Sequence, residues 1–584
     1  MKNKNNIIGL TILAVVGTLA SCTKEFLDKP PQASLVDATF YQTNDQILAG
    51  TAALYSAAWK DYCDQANWKI GDVKAGLVFA PFGYADYRDF TTFNITGLSA
   101  SNLFAYKSFY EVNGQANTVI HDINLYAGPS VSQEIKNHAI AECRFMRATA
   151  YTYLVMNYGP VPIIEDNTKY LNNPALKRNT VESIWEFIKR DYRFAAQNLM
   201  GQVPLGQVGR LTRWSAEGML ARTYLTMAGI GGSLNQNYLD SAKYYADRVI
   251  QLSGKSLLPN YSDLFRYSPT PYDNNNESLF ELEWVYSSSG NYSYQYSNTM
   301  VSQITPDNSI AANGDGYGSG FGATNYMLSQ YDGLVVGYSN GASASPGFTI
   351  DQRLQPTFML PGFTYPELAV SAGSTFMSPQ HVVQYNPQNT TASNPTDGQG
   401  YHMAYIKKYV IGNIPGQTNK QDYPNDTYML RLAEMYMIYA EAQALLDGGS
   451  TTNNQALTYF NAIHTRAGLP SFAGPLTWDV ILSERIKEFA MEGMVWYDLV
   501  RRHYYDPQHV YEILNSQDRG LFLVLPSPWP DPTGWSFHKT TWFTLPGQID
   551  VVTANDGNFM MPIPQAELSQ APSLSDEPEA YVFK

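Results

Sequence analysis

Charge is scarce in this 584-residue chain, where only 15% of residues are Asp, Glu, Lys or Arg. Basic residues are the scarcer kind, 38 Lys and Arg against 52 Asp and Glu, which leaves a net charge of −14. Nucleic-acid phosphates reward basic patches, so this balance speaks against nucleic acid as a partner. Cysteine occurs only at positions 22, 63 and 143, with no spacing that suggests a disulfide framework. Cys143 stands in an apolar helical pattern, where a small buried thiol is expected. The eight histidines include no His-x-x-x-His and no Glu-flanked pair, so zinc and metalloprotease signatures are missing. Nothing in the chain points to a cofactor. Beyond the leader no stretch approaches 18 uninterrupted apolar residues, and no later membrane-spanning helix is expected. The glycine-alternating stretch Asn313–Gly322 lacks the Gly-Lys-Ser/Thr of a phosphate loop. Its Gly316-Tyr317-Gly318-Ser319-Gly320 is no nucleophile elbow either. It is expected to be a flexible surface loop presenting Tyr317 and Phe321.

What the chain does have begins with Lys2 and Lys4, the apolar run from Ile7 to Val16, and then Leu19-Ala20-Ser21-Cys22. A basic start, a short apolar core and small residues before a cut site make a secretory signal. The cysteine at the cut resembles a bacterial lipobox, in which the thiol is acylated and Cys22 becomes the mature N-terminus. Residues 1–21 are therefore expected to be a lipoprotein signal peptide. Residues 22–35, with Pro30-Pro31, read as a lipid-anchored tether. The only membrane contact expected is lipid held through Cys22, with each buried methylene of an acyl chain contributing about 0.8 kcal/mol.

Helical periodicity dominates about 36–255 and returns over 425–505. The expected helical segments are 42–61, 107–126, 132–157, 180–199, 213–229, 236–252, 427–446, 453–467 and 478–503. In the seventh, Tyr428, Leu432, Met435, Tyr439, Ala442 and Leu446 recur at steps of four and three, and Gly448-Gly449 stops the run. Helix pairs in series predict a mostly α fold with a tetratricopeptide-like scaffold, forming one unit over 36–584. Between its parts, residues 256–424 are rich in Gly, Ser, Asn, Pro and Tyr and read as a loop-rich insertion with short strands. Residues 506–584 read as an irregular tail.

The chain carries 43 tyrosines and 10 tryptophans. Each offers a flat apolar face with a polar tip, suited to stacking on a ring-shaped polar ligand. Two loop clusters are the candidates for that contact. One is Tyr84, Asp86, Tyr87, Arg88, Phe90 and Asn94. The other is Trp284, Tyr286, Asn291, Tyr292, Tyr294 and Tyr296, with Tyr317 and Phe321 beyond. If 292–296 is extended, its three tyrosines share one face. Glu484, Glu488 and Glu492, four apart on one helix face, invite a metal or acid–base reading. On a scaffold helix the expected role is structural, because buried carboxylates persist only when paired. Whether any metal binds is left open by the sequence.

The stretch from Glu484 to Gly493, continuing through Trp496-Tyr497-Asp498 to Arg501, resembles the C-terminal signature of the SusD/RagB family. Glu142 to Ala148 with Tyr151, Tyr158-Gly159-Pro160-Val161-Pro162, Asp351-Gln352-Arg353, Ile406-Lys407-Lys408-Tyr409, Arg431 to Glu434, Arg466 to Leu469 and Pro562-Ile563-Pro564 fall in the family's order. The family usually has arginine where Val495 stands, and its ending differs from Asp576–Tyr581. These departures bear on local helix contacts and on docking of the tail. The resemblance implies an outer-membrane, cell-surface lipoprotein that captures oligosaccharides. It further implies delivery to a SusC-like TonB-dependent transporter, without catalysis. A RagB-like lid of a peptide importer and a surface glycoside hydrolase are the alternative readings.

Overall fold

The computed structural model describes residues 37–583, apart from 80–84, 171–174, 205, 268–272, 287–295, 306–320, 335, 339–348, 361–362, 369–374, 377–400, 403, 413–421, 521, 526–535 and 540–551. Short helices α1 (Lys60–Gln65) and α2 (Ala85–Thr92) precede the scaffold. The scaffold starts with α3 (Ala100–Tyr126), α4 (Gln133–Tyr158), α5 (Val181–Asn198), α6 (Arg213–Met227) and α7 (Gln236–Leu252). The insertion contributes α8 (Met300–Ile304). The scaffold then resumes with α9 (Leu432–Leu446), α10 (Asn454–Arg466), α11 (Trp478–Phe489) and α12 (Val495–His503). Each helix from α3 to α7 packs on the next, and α7 packs on α9, which in turn packs on α10. The helix stack is thus continuous across the insertion, although nearly 180 residues separate α7 from α9 in the chain. The mostly helical, tetratricopeptide-like expectation holds.

Local chemistry accounts for the helix ends. Side chains of Ser132, Thr180, Thr212, Asn235 and Asn453 accept backbone N–H groups at the starts of α4, α5, α6, α7 and α10. Gly448 and Gly449, at φ of 83° and 105°, end α9 in a conformation that β-carbon-bearing residues rarely adopt. The packed faces bury a contiguous core in which Trp59, Trp68, Trp185 and Trp496 are fully enclosed. Cys63 and Cys143 are buried free thiols.

Three helical expectations need correction. Residues 427–431 form a strand, antiparallel to Ser278–Leu282, so the helix after it begins at Leu432. The apolar spacing there suits a strand buried on both faces as well as it suits a helix. The segment 478–503 is two helices. Between them Met491 and Gly493 take φ of 66° and 70°, and the Asp72 carboxylate accepts both of their N–H groups at 2.7 and 3.0 Å. Residues 42–61 are likewise broken, into a helix over Asn44–Gly50, two 3₁₀ turns and the start of α1. The insertion does carry short strands, among them a four-stranded antiparallel sheet ordered Val78–Phe79, Gly322–Ala323, Ala404–Ile406, Phe358–Met359. Among the described residues no helix is long and apolar enough to cross a membrane.

The three spaced glutamates are buried at the join of α9, α10, α11 and the insertion. Glu484 meets Arg353 at 2.7 Å. Glu488 meets Arg431 at 3.0 Å, Arg353 at 3.4 Å, and Arg466. Glu492 meets Arg431 and Lys408, both at 2.7 Å. Burial alone would raise these carboxyls, but the surrounding guanidinium groups outweigh it. Glu484 and Glu492 lie below the usual range, and Glu488 is held at about 2. Asp498 is held low in the same way between Arg485 and Arg501. At the other end the tail docks on the start of α5: Thr180 donates to the Glu579 carbonyl at 3.1 Å, and Glu579 donates back to Arg178 at 3.0 Å. The tail of this chain is therefore docked, and Val495 is buried.

Candidate functional site

The two sequence clusters named as ligand candidates are joined by a buried polar chain. Tyr87, on α2, stacks on Phe321 with ring centres 4.7 Å apart, and Trp68 closes the group at 5.3 Å from Tyr87 and 4.9 Å from Phe321. Lys69 lies 3.8 Å from the Tyr87 ring centre and pairs with Asp86 at 3.1 Å. Burial lowers the Lys69 ammonium, and Asp86 opposes that shift. The Tyr87 hydroxyl donates to Gln303 of α8 at 3.1 Å, and Gln303 donates to the Asp64 carboxylate of α1 at 2.8 Å. Thr299 donates to the same carboxylate, and Lys60 donates to Thr299 and to the Ser297 carbonyl, the latter at 2.8 Å. Burial pushes Lys60 down to about 8. Its ammonium sits 5.8 Å from the Trp284 ring, whose indole N–H donates to Thr427 at 3.0 Å. At the end of this chain Val285 donates to the Tyr296 carbonyl at 2.8 Å, and both side chains face solvent, Val285 56% and Tyr296 43% exposed.

Rigid support beneath an exposed aromatic edge is what a stacking surface requires, because order held before binding is not lost on binding. Lys60 and Asp64 stand four apart on α1 and share Thr299, so a helical charge pair was the sequence signal for this brace. Trp68, Lys69 and Gln303 gave no comparable signal. Residues Lys69–Val73 make a π-helical turn, which no periodicity marks.

The structure redistributes the candidates. Asp86, Tyr87, Arg88 and Phe90 lie on helix α2, not on a loop. Phe90 is wholly buried and belongs to the core, and Asp86 is engaged by Lys69 and Ser101. Trp284 and Phe321, 4% and 2% exposed, are buried. Phe321 in particular abuts the strand Gly322–Ala323, so the glycine-rich stretch does not present it to solvent. Their burial follows from neighbours distant in sequence, which alternation and loop composition do not report. Tyr87, Arg88 and Tyr286 are half-buried, and Asn94 and Tyr296 are exposed. Tyr84, Asn291, Tyr292, Tyr294, Tyr317 and Cys22 lie outside the described residues.

Beside Trp284 sits a carboxylate cluster that sequence reading missed. One oxygen from each of Asp273, Glu281 and Asp426 lies within 4.8 Å of the others. Asn274 links them to Glu283: its side chain donates to Glu283 at 3.0 Å and its backbone N–H to Glu281 at 3.1 Å. Asp426 in turn accepts the Trp284 backbone N–H at 2.7 Å. Burial pushes Glu281 up to about 8 and Asp273 to about 6, and raises Glu283 and Asp426 as well. Hard oxygen donors of this kind are the ones that could hold a divalent cation. A carboxyl with a raised folded-state pKa contributes fully below its ordinary pKa and loses that contribution as pH rises through the folded value. In chelator-containing buffer, Glu281→Gln should therefore raise the melting temperature at about pH 8, and the gain should vanish below about pH 4. Thermal melts at both values decide it, and a gain of equal size at each would overturn the reading.

Comparison with known proteins places the chain. A family profile described as "SusD family" matches residues 276–579, and one described as "Starch-binding associating with outer membrane" matches 25–225. A SusD-like protein of Bacteroides ovatus is 32% identical over 100% of this chain and 99% of its own length. A crystal structure determined with xylogluco-oligosaccharide is 29% identical, with a TM-score of 0.75, covering 92% of this chain and 99% of that one. A laminarin-binding SusD-like protein shares the fold at 20% identity, with a TM-score of 0.63 over 91% of this chain and 98% of its own.

Proposed function

The chain belongs to the SusD/RagB family, and from that premise we propose that it is a cell-surface lipoprotein that captures an oligosaccharide and hands it to a SusC-like TonB-dependent transporter in the outer membrane. It works by binding, and no bond is made or broken. The observation that carries the reading is the exposed Tyr296, whose carbonyl accepts from Val285 between buried Trp284 and half-buried Tyr286, at the end of the polar chain that runs from Tyr87 to Lys60. Flat rings suit the C–H faces of sugars, and the neighbouring amide and hydroxyl groups suit their hydroxyls. The xylogluco-oligosaccharide held by a relative 29% identical supports a neutral glycan as the ligand class.

A glycan array and a peptide panel, both probed with the detergent-extracted full-length protein, test this. Neutral glycans should bind and peptides should not. Selective peptide binding would replace the reading with a peptide-import lid, and release of shortened product from a bound glycan would replace it with a hydrolase.

Anchoring has its own test. Cys22→Ala should leave a folded protein that fractionates away from the membrane, because the acyl chains are its only lipid contact. Tight membrane association that persists in a strain lacking the transporter would sink the lipoprotein reading.

A further inference from the structure

A concavity elsewhere in the fold shares no residue with the surface above. It encloses about 570 Å³ between the 3₁₀ turn Tyr261–Phe265, residues Gln352, Gln355, Pro356, Tyr365 and Glu367, and the segment 407–412. That size falls within the range of small-molecule sites, about 300–1,000 Å³. We propose that this pocket is an accessory site for a neutral saccharide of one to two rings, an inference that rests on the glycan-binding reading of the protein.

Three features select that ligand class. The first is charge balance. Lys407 at the base pairs with Glu367 at 3.2 Å and donates to the Val410 carbonyl at 2.8 Å, while Arg266 at the rim lies 3.6 Å from Asp263. Each cation faces a carboxylate, so an ionic ligand finds no net field to bind it. The second is the aromatic lining. Tyr365 is buried with its hydroxyl donating to the Gln355 and Phe358 carbonyls, at 2.9 and 3.1 Å, so what it lends the pocket is ring and not hydroxyl. Tyr267 adds a half-buried ring at the edge. The third is the rim, where Gln352 and Gln355 are exposed and carry amides that both donate and accept. Amides over rings match the alternation of hydroxyls and C–H faces on a sugar.

The test uses the full-length chain with four neutral disaccharides, cellobiose, laminaribiose, maltose and xylobiose, followed by saturation-transfer NMR and calorimetry. At least one should bind, and Tyr267→Ala or Gln355→Ala should weaken it roughly five- to tenfold while leaving melting unchanged. Tyr296→Ala should leave in place the component of binding that these pocket variants weaken. Loss of disaccharide binding on Tyr296→Ala, with the pocket variants neutral, overturns the pocket as a sugar site. So does binding of longer array glycans without any disaccharide, and in that case the glycan reading itself stands. Failure of short and long glycans alike removes both. A sulfated disaccharide that competes at the pocket overturns the selection for neutral ligands.

Discussion

Arg431→Met is expected to unfold the protein or bring it to the edge of unfolding. The Arg431 guanidinium contacts Glu277 at 2.6 Å, Glu488 at 3.0 Å and Glu492 at 2.7 Å, and the residue is 1% exposed. Methionine fills similar space but leaves three buried carboxylates short of a counter-charge. Breaking a buried pair from one side costs about 3–5 kcal/mol. Native proteins have only about 5–15 kcal/mol to lose. Glu488→Gln is the milder change, since an amide oxygen can still accept from Arg353 or Arg466, and its cost should be about 1–3 kcal/mol. Neither variant should alter glycan affinity in the fraction that folds. Urea melts measure the loss, and a wild-type midpoint for Arg431→Met would refute the network's role. The pH dependence has a definite sign. Glu488, held at about 2, contributes stability above its ordinary pKa and loses it as pH falls through the folded value. Acid unfolding should therefore set in below about pH 4, and the slope should flatten in Glu488→Gln.

Alanine at both Tyr286 and Tyr296 should cut glycan affinity about thirtyfold without moving the melting temperature. A stacked ring contributes about 1 kcal/mol, and about 1.4 kcal/mol corresponds to tenfold. Extending the change to Tyr292 and Tyr294 should take binding below detection if they share the face of Tyr296. Trp284→Ala is the contrasting control. Its indole is buried and hydrogen-bonded to Thr427, so this variant should lose stability together with binding. Calorimetry against the glycan identified on the array decides the matter. Unchanged affinity in the double variant would remove this edge from the site and move the search to Tyr87, since Phe90 lies in the core.

Much of the scaffold was legible because helical spacing is a local property. Apolar steps of three and four, capping residues and Gly448-Gly449 are all read within a few turns of chain. The breaks were not legible. The kink between α11 and α12 depends on Asp72, more than 400 residues away, accepting the N–H groups of Met491 and Gly493. The strand Thr427–Arg431 exists because Ser278–Leu282 lies beside it.

The sequence alone was enough to name the family. Arg353, Lys408, Arg431, Arg466 and the Glu484–Glu492 run are recognisable as separate motifs, and a charged residue in an apolar chain must be accounted for wherever it falls. That all of them converge on one buried ion network, and so must be kept together, is visible only in three dimensions. The ligand surface was the least legible part. Aromatic composition marked candidate regions but could not separate exposed rings from buried ones, because Tyr296 and Trp284 differ in exposure and not in kind. Exposure is set by what other segments cover, and so it was tertiary packing that decided which rings are left to meet a ligand.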